Sequence, residues 1–172
     1  MRPRSMRIAL LALLVLAGLV AGGCGSSGGD TTATKTTSDR LSATQFAAME
    51  AKAVAVGQAL QAVSRGIQGC TGSSTEIRKC AAGQIAGAAT RLDAFVGEMQ
   101  PYVAATTGAC RADLVAFNAS VKTMAGHFKR AAAAFTDQDK TTAVTELKAV
   151  NGQIVTAAGN RAEASCKPDA SS

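Results

Sequence analysis

Apolar side chains recur at alternating three- and four-residue spacings in two long runs of the chain. This spacing places them on one stripe of an α-helix, and helices with such stripes pack at crossing angles of about 20°. The pattern therefore predicts two long amphipathic helices. The first run contains Phe46, Met49, Ala53, Val56, Leu60, Val63, Ile67 and Cys70, and the second contains Cys110, Leu114, Phe117, Val121, Met124, Phe128, Ala131 and Phe135.

Two further segments carry a less regular version of the same pattern. One contains Ile85, Ala88, Leu92, Phe95 and Met99, and the other contains Leu147, Val150, Ile154 and Ala157. Alanine is the commonest residue of the chain and has the highest intrinsic helix propensity. The sequence therefore predicts an all-α protein.

Start and stop signals set the expected helix boundaries. Ser42 with Gln45, Ser73 with Glu76 and, more weakly, Thr136 with Asp139 have the spacing of a capping box. Glycines after residue 68, the segment 101–108 and Lys167-Pro168 are stop signals. We expect helices over 42–68, 74–100, 109–135 and 138–165, each about 40 Å long. Four helices of matched length joined by short turns favour an up-down-up-down four-helix bundle.

The cysteine positions select one disulfide pairing in such a bundle. Cys70 and Cys80 would lie at one end, here called the distal end, and Cys110 and Cys166 at the other, the proximal end. Bridged cysteines have Cα atoms within about 7 Å of each other, so pairings that span the bundle are excluded. We expect Cys70 to pair with Cys80 and Cys110 with Cys166. In the chain-entropy model these bridges contribute about 2–3 and about 4 kcal/mol.

The N-terminus has the organisation of a secretory signal peptide. Arg2, Arg4 and Arg7 precede an uncharged apolar run over 8–20, and small residues follow at 21–23. A retained membrane anchor is the alternative, but the run falls short of the roughly 20 apolar residues that a spanning helix needs.

The motif Ala21-Gly22-Gly23-Cys24 follows this run. It resembles the lipobox of bacterial lipoprotein precursors, although Ala21 stands where leucine is usual. The resemblance implies that Cys24 is acylated and anchors the chain to the outer face of the cell membrane or to the outer membrane. The alternative, ordinary signal-peptide cleavage, would leave Cys24 as an unpaired thiol in an oxidising compartment.

The segment 25–39 contains no apolar side chain larger than Ala33. Such a segment cannot bury enough surface to offset its ordering entropy, so we expect a flexible tether that spans about 20 Å. The expected organisation is a signal peptide over 1–23, the lipidated cysteine and linker over 24–40, the bundle over 41–167 and a tail over 168–172.

Charge and aromatic content argue against a nucleic-acid partner. Removal of 1–23 takes away three arginines and no acid, which lowers the formal net charge from +6 to +3. The chain has five phenylalanines, one tyrosine and no tryptophan, too few for base-stacking surfaces.

No residue pattern predicts a catalytic, metal or cofactor site. His127 is the only histidine, and we expect it partly exposed at a helix boundary. A haem would need an opposite methionine or a Cys-x-x-Cys-His motif, and zinc would need four converging ligands. Asp137 and Asp139 have the position typical of acids at a helix start. Asn118-Ala119-Ser120 matches a glycosylation triplet, but it lies within a predicted helix.

The remaining hypotheses are non-catalytic. Five basic residues are predicted near the distal end, where they could bind an anionic partner such as a cell-wall polymer or an envelope protein: Arg65, Arg78, Lys79, Lys129 and Arg130. We expect a binding or interaction module at the cell envelope, of undetermined oligomeric state. The alternative is a carrier of a small apolar ligand, which would require a void between the helices near Leu60, Phe117 and Phe128.

Overall fold

Five α-helices make up the fold of residues 38–168, the part of the chain that the computed structural model describes. They are α1 (Ala43–Gln68), α2 (Ser74–Ala105), α3 (Gly108–Thr136), α4 (Lys140–Ala149) and α5 (Gly152–Cys166). The all-α class is confirmed, and α4 and α5 together replace the predicted fourth helix of the bundle. The predicted signal peptide and Cys24 lie outside the described residues. None of the five helices combines the length and hydropathy that crossing a membrane requires.

Both predicted capping boxes are present. The Ser42 hydroxyl accepts from the Gln45 amide at 3.2 Å, while the Gln45 side chain accepts from the Ser42 amide at 3.1 Å. Ser73 and Glu76 make the same reciprocal pair at the start of α2. These side chains satisfy amides that have no partner within the helix.

The third predicted start signal is wrong. α3 continues through Thr136, and the N-cap of α4 is Asp139, whose carboxylate accepts from the Thr142 amide at 3.0 Å. The turn between the helices places Gln138 at φ 63°, in the left-handed region where a residue with a Cβ is strained. The Asp139 amide closes this turn by donating to the Ala134 carbonyl at 2.9 Å.

The predicted end of the second helix at residue 100 is too early, because α2 runs through Pro101 to Ala105, which lies within the predicted stop segment 101–108. A proline inside a helix removes the amide that would bond to the carbonyl four residues earlier. Here that carbonyl belongs to Gly97, and both Gly97 and Pro101 are exposed. Water can therefore replace the missing hydrogen bond, which lets the helix continue.

The predicted apolar stripe of the last segment is wrong beyond Val150. α4 ends at Ala149, and the Asn151 side chain caps α5 by accepting from the Gln153 amide at 3.1 Å. Because the residues between the helices leave helical geometry, the stripe changes phase. Ile154 is 57% exposed, and Ala157 is exposed as well. The buried residues of α5 are Ala158, Ala162 and Cys166.

The core is centred on α2 and α3. α2 packs against α1 and α3, and α3 also packs against α4 and α5. All five predicted core positions of α2 are buried, whereas Ala53 of α1 is exposed. The rings of Phe95 and Phe117 meet edge to face with centroids 5.8 Å apart, which joins α2 to α3.

Both predicted disulfides are present. Cys70 and Cys80 have Cα atoms 5.8 Å apart and join the end of α1 to α2. Cys110 and Cys166, 4.7 Å apart, join the start of α3 to the end of α5. The proximal bridge is fully buried, whereas both cysteines of the distal bridge are partly exposed.

The end of the predicted linker belongs to the folded domain. The Ser38 amide donates to the Ala105 carbonyl at 3.2 Å, and the Thr107 amide donates to the Ser38 carbonyl at 2.8 Å. The Leu41 amide donates to the Cys166 carbonyl at 3.2 Å. These hydrogen bonds fix the entering chain to the proximal end, so the predicted linker is too long by at least residues 38–40.

We predict that the proximal bridge contributes more stability than the distal one. The loop it closes is longer, 56 residues against 10 in sequence separation. The double variant Cys110→Ala/Cys166→Ala should lose about 4 kcal/mol of unfolding free energy, and Cys70→Ala/Cys80→Ala about 3 kcal/mol. Denaturant unfolding monitored by circular dichroism measures both, and a larger loss for the distal pair would contradict the prediction.

Candidate functional site

A cluster of three titratable side chains joins α3 to α4. Nδ1 of His127 lies 2.7 Å from Oε2 of Glu146, and Nε of Arg130 lies 3.0 Å from Oε1 of the same carboxylate. The His127 and Glu146 side chains are only 21% and 19% exposed. Partial burial strengthens such charge-assisted hydrogen bonds relative to those on an open surface.

Nδ1 of His127 faces two possible hydrogen-bond partners, the Glu146 carboxylate and the Arg130 guanidinium. A terminal nitrogen of Arg130 lies 2.9 Å from the same Nδ1 of His127 that faces Glu146. Nδ1 can donate to the carboxylate or accept from the guanidinium, but it cannot do both. Hydrogen bonds from Arg130, and then from His127, hold the pKa of Glu146 below its usual value. An ionised carboxylate only accepts, so the contact with Glu146 is a hydrogen bond when Nδ1 carries the proton, and the contact with Arg130 is one when it does not.

The contacts of His127 and Arg130 with Glu146, here called the clasp, attach α4 to α3. Ala143 is the only fully buried residue of α4, and Leu147 also packs, partly buried, against the core. Glu146 binds two side chains of α3 and supplies the polar part of the attachment. His127 is partly exposed as expected and lies against α4. Glu146 was missed by sequence analysis, because no local pattern pairs it with a residue 19 positions earlier.

Two of the five residues of the predicted basic patch form ion pairs with neighbouring helices. Lys129 lies 2.6 Å from the carboxylate of Asp93 on α2, and Arg130 belongs to the clasp. Both charges are therefore neutralised by a neighbouring helix. Arg65, Arg78 and Lys79 remain near the distal bridge, where Arg78 also donates to the Thr75 hydroxyl at 3.2 Å.

Acids also lie at the distal end. Lys79 lines a shallow groove together with Thr136, the last residue of α3, so Asp137 and Asp139 belong to the same end. The Glu76 carboxylate accepts from the Ser73 amide at 2.7 Å, which lowers its pKa. The positive excess at this end is thus smaller than the sequence alone suggests.

Two grooves among the described residues are open to solvent. One lies between α2 and α3 and is lined by Lys79, Ala82, Gly83, Ala86, Ala132, Ala133 and Thr136. The other lies between α1 and α2 and is lined by Ala51, Lys52, Ala55, Val56, Ala59, Arg91, Ala94 and Glu98. Neither groove reaches Leu60, Phe117 or Phe128, the residues around which an apolar ligand was expected. Leu60 and Phe128 are instead 5% and 3% exposed.

Asn118 is an unusual core residue. Its side chain is buried, with the residue 7% exposed, and neither its amide oxygen nor its nitrogen has a hydrogen-bond partner within residues 38–168. An unsatisfied buried amide costs about 1–3 kcal/mol. Burial also leaves no room at this position for the glycan that the triplet would specify.

Across residues 38–168, no three His, Cys, Asp or Glu side chains are placed to hold a metal ion. Comparison of the chain with protein-family models, curated proteins and solved structures finds no match in any of the three.

We predict that Glu146→Gln loosens α4 and flattens the acid dependence of stability. Because folding lowers the pKa of Glu146, its contribution is fully present above the usual value of 4.5. That contribution is lost as the pH falls through the lowered folded value. Thermal unfolding between about pH 7 and pH 3 should therefore show a smaller loss on acidification in the variant than in the wild type.

The matched control for this prediction is Glu163→Gln. Glu163 is exposed on α5, and its side chain makes no ion pair within the described residues. Its replacement should leave the acid dependence unchanged. Equal pH profiles for the wild type and Glu146→Gln would mean that the clasp does not form in solution.

We predict that Asn118→Leu stabilises the domain. Leucine has the same number and branching of side-chain heavy atoms, although it is larger, and it removes the unpaired amide, so the unfolding free energy should rise by about 1–3 kcal/mol. Asn160→Leu, a change at an exposed position of α5, should have little effect. A destabilised Asn118→Leu protein would show that the amide has a partner, such as a buried water molecule.

Proposed function

We propose that the chain is an exported lipoprotein whose folded part is a non-catalytic interaction module at the cell envelope. The observation that carries this proposal is the cysteine pairing. Two bridges use all four cysteines of residues 38–168, which leaves Cys24, the last residue of the lipobox-like motif, as the odd cysteine. Stable disulfides favour an oxidising compartment, and the signal-like N-terminus is consistent with export to it.

The attachment point of the chain supports a defined orientation. Ser38 is hydrogen-bonded to the proximal end, and only 13 residues separate it from Cys24. A flexible segment of this length spans about 20 Å on average. With a fatty acyl group on Cys24, the proximal end would face the membrane and the distal end would point away from it.

An up-down-up-down arrangement of the bundle belongs to this proposal. Contacts at both ends of α1 support it: Ser38 meets the end of α2, while the distal bridge joins the end of α1 to the beginning of α2. The proximal bridge relates α3 and α5 in the same way. These contacts favour opposite directions for the two helices of each pair.

Surface recognition is better supported than transport of an apolar ligand. Both grooves are open to solvent and lined largely by alanine, whereas the central phenylalanines are packed against protein. The partner would be an envelope protein or polymer that meets the distal end or the sides. Arg65, Arg78 and Lys79 favour an anionic surface on that partner.

We predict that Cys24→Ala releases the protein from membranes. Without the acylated cysteine the domain has no attachment, so the variant should move from the detergent phase to the soluble extracytoplasmic fraction. Immunoblotting of fractionated bacterial cells, together with mass measurement of the N-terminal peptide, tests this. Ser26→Ala is the control and should remain membrane-bound; continued membrane association of Cys24→Ala would refute lipid anchoring.

A further inference from the structure

We propose that the distal bridge, Cys70–Cys80, is a thiol-exchange site for a low-molecular-weight thiol that carries a carboxylate. Such a thiol forms a mixed disulfide with Cys70 while the proximal bridge stays closed. This modification site is independent of the proposed function, because it depends only on residues of the folded domain.

Access distinguishes the two bridges. Cys110 and Cys166 are 0% exposed, whereas Cys70 and Cys80 are both partly exposed. The distal bridge also borders a turn in which Gly69, Thr71, Gly72 and Ser73 are all exposed. Thiol exchange requires the attacking thiolate to reach a sulfur atom of the bridge. A thiol in solution can therefore reach the distal bridge in the folded protein, but it reaches the proximal bridge only after the helices separate.

The positive charges near Cys80 favour this cysteine as the leaving thiolate and favour an incoming thiol that carries a carboxylate. Arg78 and Lys79 directly precede Cys80 in α2, where they outnumber Glu76, the one acid of that turn, whose carboxylate is held by the Ser73 amide. Lys79 is exposed with no ion-pair partner among the described side chains. Neighbouring cations stabilise a thiolate, and the thiol with the lower pKa leaves faster. The same cations attract a thiol that carries a carboxylate.

The reaction balances without a further oxidant or reductant. The incoming thiolate attacks Sγ of Cys70, the Cys70–Cys80 bond breaks, and its electron pair passes to Sγ of Cys80. Cys80 leaves as a thiolate beside Arg78 and Lys79, and the incoming thiol remains bonded to Cys70. A second thiolate can attack the mixed disulfide, which releases the small-molecule disulfide and leaves both cysteines reduced.

The domain has the contacts to stay folded during this exchange. The Gly69 amide donates to the Arg65 carbonyl at 3.0 Å, and the Ser73–Glu76 capping box holds the start of α2. The proximal bridge still joins α3 to α5. Opening of the distal bridge is therefore confined to the turn between α1 and α2.

The test uses the full chain with Cys24→Ala, so that only the four bridged cysteines can react. The protein is exposed under native conditions to glutathione, which carries carboxylates, or to uncharged 2-mercaptoethanol. It is quenched with acid, alkylated and mapped by peptide mass spectrometry, while circular dichroism follows the fold. We expect a glutathione adduct on Cys70, formed at least about tenfold faster than the proximal bridge opens, with the helical signal unchanged.

Matched charge variants test the role of the cations. Arg78→Gln and Lys79→Gln should each slow the reaction with glutathione more than the reaction with 2-mercaptoethanol, whereas Lys148→Gln on α4 should change neither rate. Opening of both bridges at the same rate, or an adduct mainly on Cys80, would overturn the proposal. Equal effects of the charge variants on the two thiols would overturn it as well.

Discussion

Two attachments fix the position of α3, its packing against α2 and its disulfide to α5. α3 packs against α2 through a continuous apolar seam, and the proximal bridge ties its first turn to the last residue of α5. The stretch between these attachments, from the turn at Gln138 to the capping residue Asn151, is positioned by them together with the clasp at Glu146. The segment of chain that enters the domain is held at the same end, by hydrogen bonds to residues that flank the start of α3 and the end of α5.

The parts of the fold that sequence analysis predicted correctly are those encoded locally. The capping boxes at Ser42 and Ser73 and the apolar stripe of α2 involve residues three or four positions apart, so their physical consequence can be inferred from spacing alone. The disulfide pairing was also predictable, because helix length converts sequence position into distance along the bundle. Residue spacing within a helix predicts the caps and the stripe, and helix length predicts the disulfide pairing.

The errors arise where a local signal was outweighed or overlooked. Pro101 was interpreted as a stop, but exposure of Gly97 lets water replace the lost hydrogen bond. Asn151-Gly152 is a turn-forming pair that interrupts the last helix, and an assumed continuous helix placed Ile154 in the core. The Glu146 clasp and the unpaired Asn118 could not be predicted, because both depend on which helix faces which in three dimensions.

Because α4 is short, it is the place in the folded domain where proteases would cut first. A helix of ten residues with a single fully buried side chain is shorter than those that hold together alone in water, so local opening and peptide-bond cleavage should begin there. A cut between residues 137 and 151 would separate the chain into two pieces. Cys110 precedes that cut and Cys166 follows it, so the disulfide between them would keep the two fragments covalently joined. The cleaved protein would then stay assembled, with α5 in its place.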